Sequence, residues 1–124
     1  MISVIIPALN EEKTVGQVVR LAKSSPHVTE VIVVDDKSLD NTIAEAQKEG
    51  ATVITSTRLG KGASMKDGVL YASNPLIVFL DADITTYQKN IISLLTAPLI
   101  SDGADFVKSC FSRQAGRVTE LVAK

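Results

Sequence analysis

Four short apolar runs, each closed by polar residues and parted from the next by a stretch with helical spacing, constrain this chain more than any other feature of its sequence. The runs cover residues 2–6, 30–34, 51–54 and 76–80. They are rich in β-branched residues and are nearly continuously apolar, the pattern of strands buried on both faces. Pro7 closes the first run. After it, Val15, Val18, Val19 and Ala22 recur with the helical period. Asn10 stands where an N-cap would, with Glu11 and Glu12 in the first turn. Ser38 or Asp40 caps a second helix that carries Ile43, Ala44 and Ala46 and stops at Gly50. Residues 61–72 and 88–100 read as third and fourth helices, and Pro98 must bend or end the latter. Residues 104–108 suit a fifth strand, and the tail from Ser109 receives no assignment.

Such alternation predicts an α/β fold: a mostly parallel, Rossmann-like sheet with helices on both faces and right-handed crossovers. With 124 residues, of which 45% are apolar, the chain can bury a core of its own and is not a disordered sequence. Thirteen basic against fourteen acidic residues leave a net charge of −1, so no basic face calls for nucleic acid. No apolar run approaches the roughly 20 residues of a membrane helix. Met1-Ile2-Ser3 lacks the basic start of a signal peptide, and a cytoplasmic setting is expected. Cys110, the sole cysteine, excludes an internal disulfide and a cysteine zinc cage. His27, the sole histidine, follows Pro26 in a turn-like stretch and reads as a surface residue.

Ligands of parallel sheets bind beyond the carboxyl ends of the strands. At those ends stand Pro7-Ala8-Leu9-Asn10, Asp35-Asp36, the stretch from Arg58 to Lys61, and Asp81-Ala82-Asp83. Two carboxylates one residue apart repel unless a cation or a donor compensates them. Mg2+ or Mn2+ does so with hard oxygen ligands, few of them from protein. An isolated D-x-D is more simply a capped turn; its place at the end of a buried strand, near other acids, favours the metal. A carboxylate in the Asp35-Asp36 pair can accept a uracil N3–H or a ribose hydroxyl, while Ser38, Asp40 and Thr42 look like turn and cap residues. Leu59-Gly60-Lys61-Gly62 fits neither the phosphate-loop nor the dinucleotide pattern, since position 55 is Thr and position 65 is Met. It remains a cationic loop able to bring Arg58 and Lys61 to a diphosphate.

Taken together, Val4-Ile5-Ile6-Pro7-Ala8-Leu9-Asn10-Glu11-Glu12, the Asp35-Asp36-x-Ser38-x-Asp40-x-Thr42 run, Gly60-Lys61-Gly62 and Asp81-Ala82-Asp83 resemble the nucleotide-binding half of the GT-A glycosyltransferases of the family 2 type. The resemblance implies that Pro7, Ala8, Leu9, Asn10 and Glu11, with Asp36, hold the base and ribose. It implies further that Lys61, Asp81 and Ala82 lie against the nucleotide-sugar and that Asp83 holds the metal. The tail, from Asp105 through Arg113 to Gly116-Arg117-Val118-Thr119, is similar to the acceptor region of glucosyl-3-phosphoglycerate synthases. By that likeness Gly116, Arg117 and Thr119 bind the acceptor's phosphate. Over residues 106–124, Lys108, Arg113, Arg117 and Lys124 stand against Glu120 alone, a basic balance that agrees.

The implied activity is transfer of a hexose from a nucleotide-sugar, UDP-glucose by resemblance, to a phosphorylated acceptor such as 3-phosphoglycerate. A lipid-phosphate or polysaccharide acceptor is the alternative within the family. These relatives retain anomeric configuration, so no inverting base is sought and no catalytic residue is assigned. GT-A enzymes are about twice this long, because one α/β domain of this size holds only the donor half. Residues 1–124 are therefore expected to be a single nucleotide-sugar-binding domain, cut before the rest of the acceptor region, with a homodimer left open. A phosphoreceiver domain is the rival from another class: Asp35-Asp36, Asp81 and Ser109 imitate part of its site. A nucleotidyltransferase would need glycines in the first loop, and residues 7–12 have none.

Overall fold

The computed structural model describes residues 1–101, 107–112 and 117–123. The chain forms two compact units, Met1–Thr85 and Thr86–Lys124. In the first, β1 (Ile2–Ala8), α1 (Val15–Ser24), β2 (Val28–Asp35), α2 (Thr42–Lys48), β3 (Thr52–Thr55), α3 (Lys61–Tyr71) and β4 (Leu76–Phe79) alternate as expected. The four strands form one parallel sheet in the order β3-β2-β1-β4. The chain thus winds outward from β1 through β2 to β3, then returns to place β4 on the other side of β1. That reversal lies between β1 and β4, where open α/β sheets leave a crevice at their carboxyl edge.

The two central strands are buried on both faces. Ile5, Ile32 and Val34 form the core of one face, with Ile54, Ala72, Ile77 and Phe79 packed against them. By strand alternation Val4, Ile6, Val31 and Val33 point to the other face, and α1, beside β1 and β2, buries Val15, Val18, Val19 and Ala22. At the amino edge, Glu30 accepts hydrogen bonds from Ser3 Oγ at 2.7 Å, from the Ser73 amide at 2.8 Å and from Ser73 Oγ at 3.3 Å. Asn74 Nδ2 donates to Ser3 Oγ and Thr29 Oγ1. These donors hold the Glu30 carboxyl below its usual range.

Several local expectations are corrected. Pro7 does not end β1, which continues to Ala8. The ladder with β4 ends at Ile5↔Phe79, so a residue without an N–H loses nothing on that side. Asn10 does not cap α1: the helix starts at Val15 behind Thr14, and Asn10 adopts φ +53° to serve a loop contact described below. Neither Ser38 nor Asp40 is the N-cap of α2, which is Asn41; Asp40 stands one residue before it and accepts the Thr42 amide at 2.9 Å, and Gly50 follows the helix at φ +93°. His27 is exposed, as expected.

In the second unit, α4 (Ile91–Ser101) runs through Pro98 instead of ending there. β5 (Val107–Ser112) and β6 (Arg117–Ala123) pair antiparallel, a hairpin the sequence did not announce. Of the strand expected over 104–108, residues 104–106 lie outside the described residues. The register shifts between Cys110 and Phe111, which leaves Thr119 as the extra residue of a β-bulge. Among the described residues no helix is long and apolar enough to cross a membrane.

Gly68 lets α3 lie directly on the sheet. A Cβ there would press into Ile5 Cγ2 and come within 3.2 Å of Val34 Cγ2. Helix propensity alone favours Gly68→Ala by about 0.5–1 kcal/mol, whereas overpacking costs about 1–3 kcal/mol. The substitution is therefore expected to lower stability in urea denaturation; a gain would mean that α3 can shift outward freely. Glu30→Gln is expected to cost about 1 kcal/mol at pH 7, discounted for partial exposure. Because the folded-state pKa is depressed, this difference should vanish as pH falls through it, and a pH-independent difference would refute the charge-based account.

Candidate active site

The loops that follow β1, β2, β3 and β4 converge on one cleft of about 370 Å³, lined by Pro7, Ala8, Leu9, Glu11, Asp36, Gly60, Lys61, Ser64, Asp81, Ala82 and Asp83. It straddles the reversal between β1 and β4. All of the donor-side residues expected from the sequence are in its wall except Asn10.

Asn10 acts from behind. Its Oδ1 accepts the Leu39 amide at 2.8 Å while its own amide donates to Ser38 Oγ at 2.8 Å. The Glu11 amide donates to Thr42 Oγ1 at 2.8 Å, and the Glu12 amide to Asp40 Oδ2 at 3.3 Å. In return, Glu12 Oε2 accepts the Asn41 amide at 3.1 Å. Thus Ser38, Asp40 and Thr42 latch the β1 loop to the β2 loop, a role beyond the turn and cap duties their residue types suggest. Thr42 Oγ1 also donates to Asp40 Oδ1, and these donors hold the Asp40 carboxyl low.

Asp36 is buried and divided in its use. Its Oδ2 accepts the Gly60 amide at 3.0 Å, whereas Oδ1 is buried without a partner among the described residues. Gly60 can present that amide because it sits at φ +105°, ψ 151°, a conformation open essentially to glycine alone. The β3–α3 loop is further held by Asp67, whose carboxylate accepts the Thr57 amide at 2.8 Å, Thr57 Oγ1 at 3.0 Å and Ser56 Oγ at 3.3 Å. Those bonds lower its pKa. Arg58 is exposed and is not part of the cleft wall.

Across the cleft, Lys61 Nζ forms an ion pair with Asp81 Oδ1. Asp83 is exposed at the rim. Glu11 has its pKa raised, first by burial and then by the negative charge of Asp83. Acids in each other's field at the mouth of a cleft suit a divalent cation with oxygen preference. Among the described residues no group of three or more acidic, imidazole or thiol side chains could hold a metal unaided. An ion here would take most of its ligands from a bound diphosphate and water, as Mg2+ commonly does.

Ser64 is the wall residue that no sequence motif marks. It lies on α3, 1% exposed, and its Oγ is a second buried oxygen without a partner among the described residues. Spacing was the available signal: Ser64 and Gly68 fall four residues apart on one helical face, where small residues permit close approach. Of the residues expected to bind an acceptor, Arg117 pairs with Ser112 in the β5–β6 hairpin, Thr119 is its bulged residue, and Gly116 lies outside the described residues. The receiver alternative fails on strand order. It needs the strand of Asp81 beside the strand of Asp35-Asp36, but β1 lies between β4 and β2.

The sequence profile of the family described as Glycosyl transferase family 2 matches residues 3–120. Glucosyl-3-phosphoglycerate synthase of Mycolicibacterium smegmatis is 34% identical over 99% of this chain and 48% of its own length. The Petrotoga mobilis enzyme of the same name is 32% identical over 99% of this chain and 46% of its own. The crystal structure of Mycobacterium tuberculosis glucosyl-3-phosphoglycerate synthase with Mg2+ and UDP superposes with a TM-score of 0.82 at 31% identity, covering 92% of this chain and 44% of that one. The chain spans about half the length of the curated relatives it matches.

Gly60→Ala tests the loop geometry. Among the described residues nothing lies within 4 Å of the added Cβ, so the expected effect is backbone strain. A loss of about 1–3 kcal/mol in folding stability is expected by thermal unfolding. A variant as stable as wild type would show that the Gly60–Asp36 bond survives in another loop conformation.

Proposed function

The chain belongs to Glycosyl transferase family 2, and on that premise we propose that it is the donor-binding part of a hexosyltransferase that moves glucose from UDP-glucose to a small phosphorylated acceptor, 3-phosphoglycerate. The observation that carries this reading is the cleft at the β1/β4 reversal, where a buried acid, a lysine and two strand-end aspartates meet. Supporting it, relatives named glucosyl-3-phosphoglycerate synthase align with almost the whole chain. One such enzyme has been crystallised with Mn2+, UDP-glucose and phosphoglyceric acid.

In this reading Pro7, Ala8, Leu9 and Glu11 form the wall against base and ribose, and Asn10 holds their loop through the latch to Leu39 and Ser38. The free Oδ1 of Asp36 accepts the base N–H. Asp81 and Ala82 border the ribose and diphosphate. Asp83 holds Mg2+ or Mn2+, which when bound neutralises charge on the diphosphate leaving group. Lys61 exchanges Asp81 for phosphate oxygens and adds a second positive charge at the same place. Gly116, Arg117 and Thr119 take the acceptor phosphate, Arg117 through two parallel charge-assisted bonds. Residues 1–124 then hold the donor side and the first acceptor contacts, and the rest of the acceptor pocket belongs to chain that the longer relatives possess.

The full-length protein is the fair subject of the test. With Mn2+ and UDP-glucose it should glucosylate 3-phosphoglycerate, EDTA should abolish the reaction, and Asp83→Ala should remove the metal-dependent part of UDP binding. Arg117→Lys should raise the acceptor Kd about tenfold while leaving UDP affinity unchanged, as loss of one charge-assisted bond predicts. Equal UDP binding with and without Asp83, or equal acceptor affinity across Arg117 variants, would refute the corresponding assignment.

A further inference from the structure

Ser64 is the buried polar group of the cleft that the roles above leave unused. Serines inside helices commonly turn back onto the carbonyl four residues earlier. Here the Ser64 backbone amide bonds the Gly60 carbonyl at 3.1 Å, but Oγ has no partner among the described residues. A buried hydroxyl without a partner is destabilising, so its place in the wall of a cleft calls for a ligand.

Asp36 lines the same cleft. Gly60 joins the two: its amide donates to Asp36 Oδ2, and its carbonyl receives the Ser64 amide. The cleft therefore carries, on two residues both bonded to Gly60, a carboxylate oxygen and a hydroxyl that are unused among the described residues. An ionised carboxylate only accepts, whereas a hydroxyl can donate. An acceptor beside a donor is complementary to an N–H beside a C=O. Uracil has that edge at N3–H/C4=O and guanine at N1–H/C6=O. Cytosine presents the reverse, with a lone pair at N3 that would face the carboxylate.

We propose that the Ser64 hydroxyl donates to the base carbonyl next to the N–H that Asp36 accepts, making Ser64 a specificity-determining residue for uracil or guanine over cytosine. The inference rests on the nucleotide-sugar reading of the cleft.

The test is calorimetric titration of the full-length protein and its Ser64→Ala variant, in Mn2+, with UDP, GDP, CDP and pyrophosphate. Ser64→Ala should weaken the preferred nucleotide with an N–H beside a C=O, UDP or GDP, by about fivefold to tenfold, as loss of one neutral hydrogen bond predicts. Affinity for CDP and pyrophosphate should not change. The ligand-free variant should melt no lower than wild type, since the hydroxyl has no partner to lose. Ser64→Cys, which keeps the volume with a weaker donor, should behave like Ser64→Ala. Unchanged UDP and GDP affinity, an equal loss for all four ligands, or a lower melting temperature without ligand would overturn the proposal. A wild type that binds UDP and GDP no better than pyrophosphate would instead overturn the nucleotide reading itself.

Discussion

The reversal of winding between β1 and β4 is the constraint on which the rest depends. A parallel sheet that wound in one direction would send each connecting loop over the next and close its carboxyl edge. Here the chain leaves β1 toward β2 and comes back to β4 on the other side, so the Pro7–Ala8 segment and the Asp81–Asp83 segment part around an opening. β1 can sit at this hinge because both its neighbours are parallel and both its faces are covered. Pro7 fits there because β4 has already run out. The residue that would disrupt a central ladder stands where one ladder has ended.

Once the opening exists, its walls must keep their shape without secondary structure. Side chains do this work. Ser38, Asp40 and Thr42 bind backbone amides of the β1 loop, and Glu12 returns the contact. Asp67 and Asp36 do the same for the loop before α3. Apart from the Asp67 bond, which ties the loop to the helix that follows it, these bonds cross between segments far apart in the chain, so the loops are rigid only in company. Residues that resemble ordinary turn formers are here the mortar of a binding cleft.

The cleft is also where the molecule gives up stability. Among the described residues Asp36 Oδ1 and Ser64 Oγ are buried without partners, Glu11 is held near a like charge, and Lys61 is ion-paired with Asp81. Asp35 Oδ1, next to the cleft, is similarly unpaired. Away from the site, buried polar side chains such as Ser3 and Ser25 are bonded. Unspent hydrogen-bonding capacity gathered in one place is a physical mark of a ligand site, independent of any motif.

The strands and helices of the first unit were legible because burial on both faces demands continuous apolar runs and helices demand a 3.6-residue period; both are local patterns. The strand-end carboxylates were legible for a related reason, since acids directly after a buried strand cannot be core. Three things were not local. Asn10 and Thr14 are both plausible caps by residue type, and only the contact to Leu39, 29 residues away, decides that Asn10 serves a loop. Ser64 looks like any helix serine until Gly68 brings α3 down onto Ile5. The β5–β6 hairpin depends on a pairing whose register no periodicity in the tail announces. Sequence alone determined the elements and the chemistry available at their ends, because hydrophobic period and residue type act at short range. Strand order, the latch between loops and the two unpaired oxygens were decided only by tertiary structure, because each depends on which distant segments packing brings together.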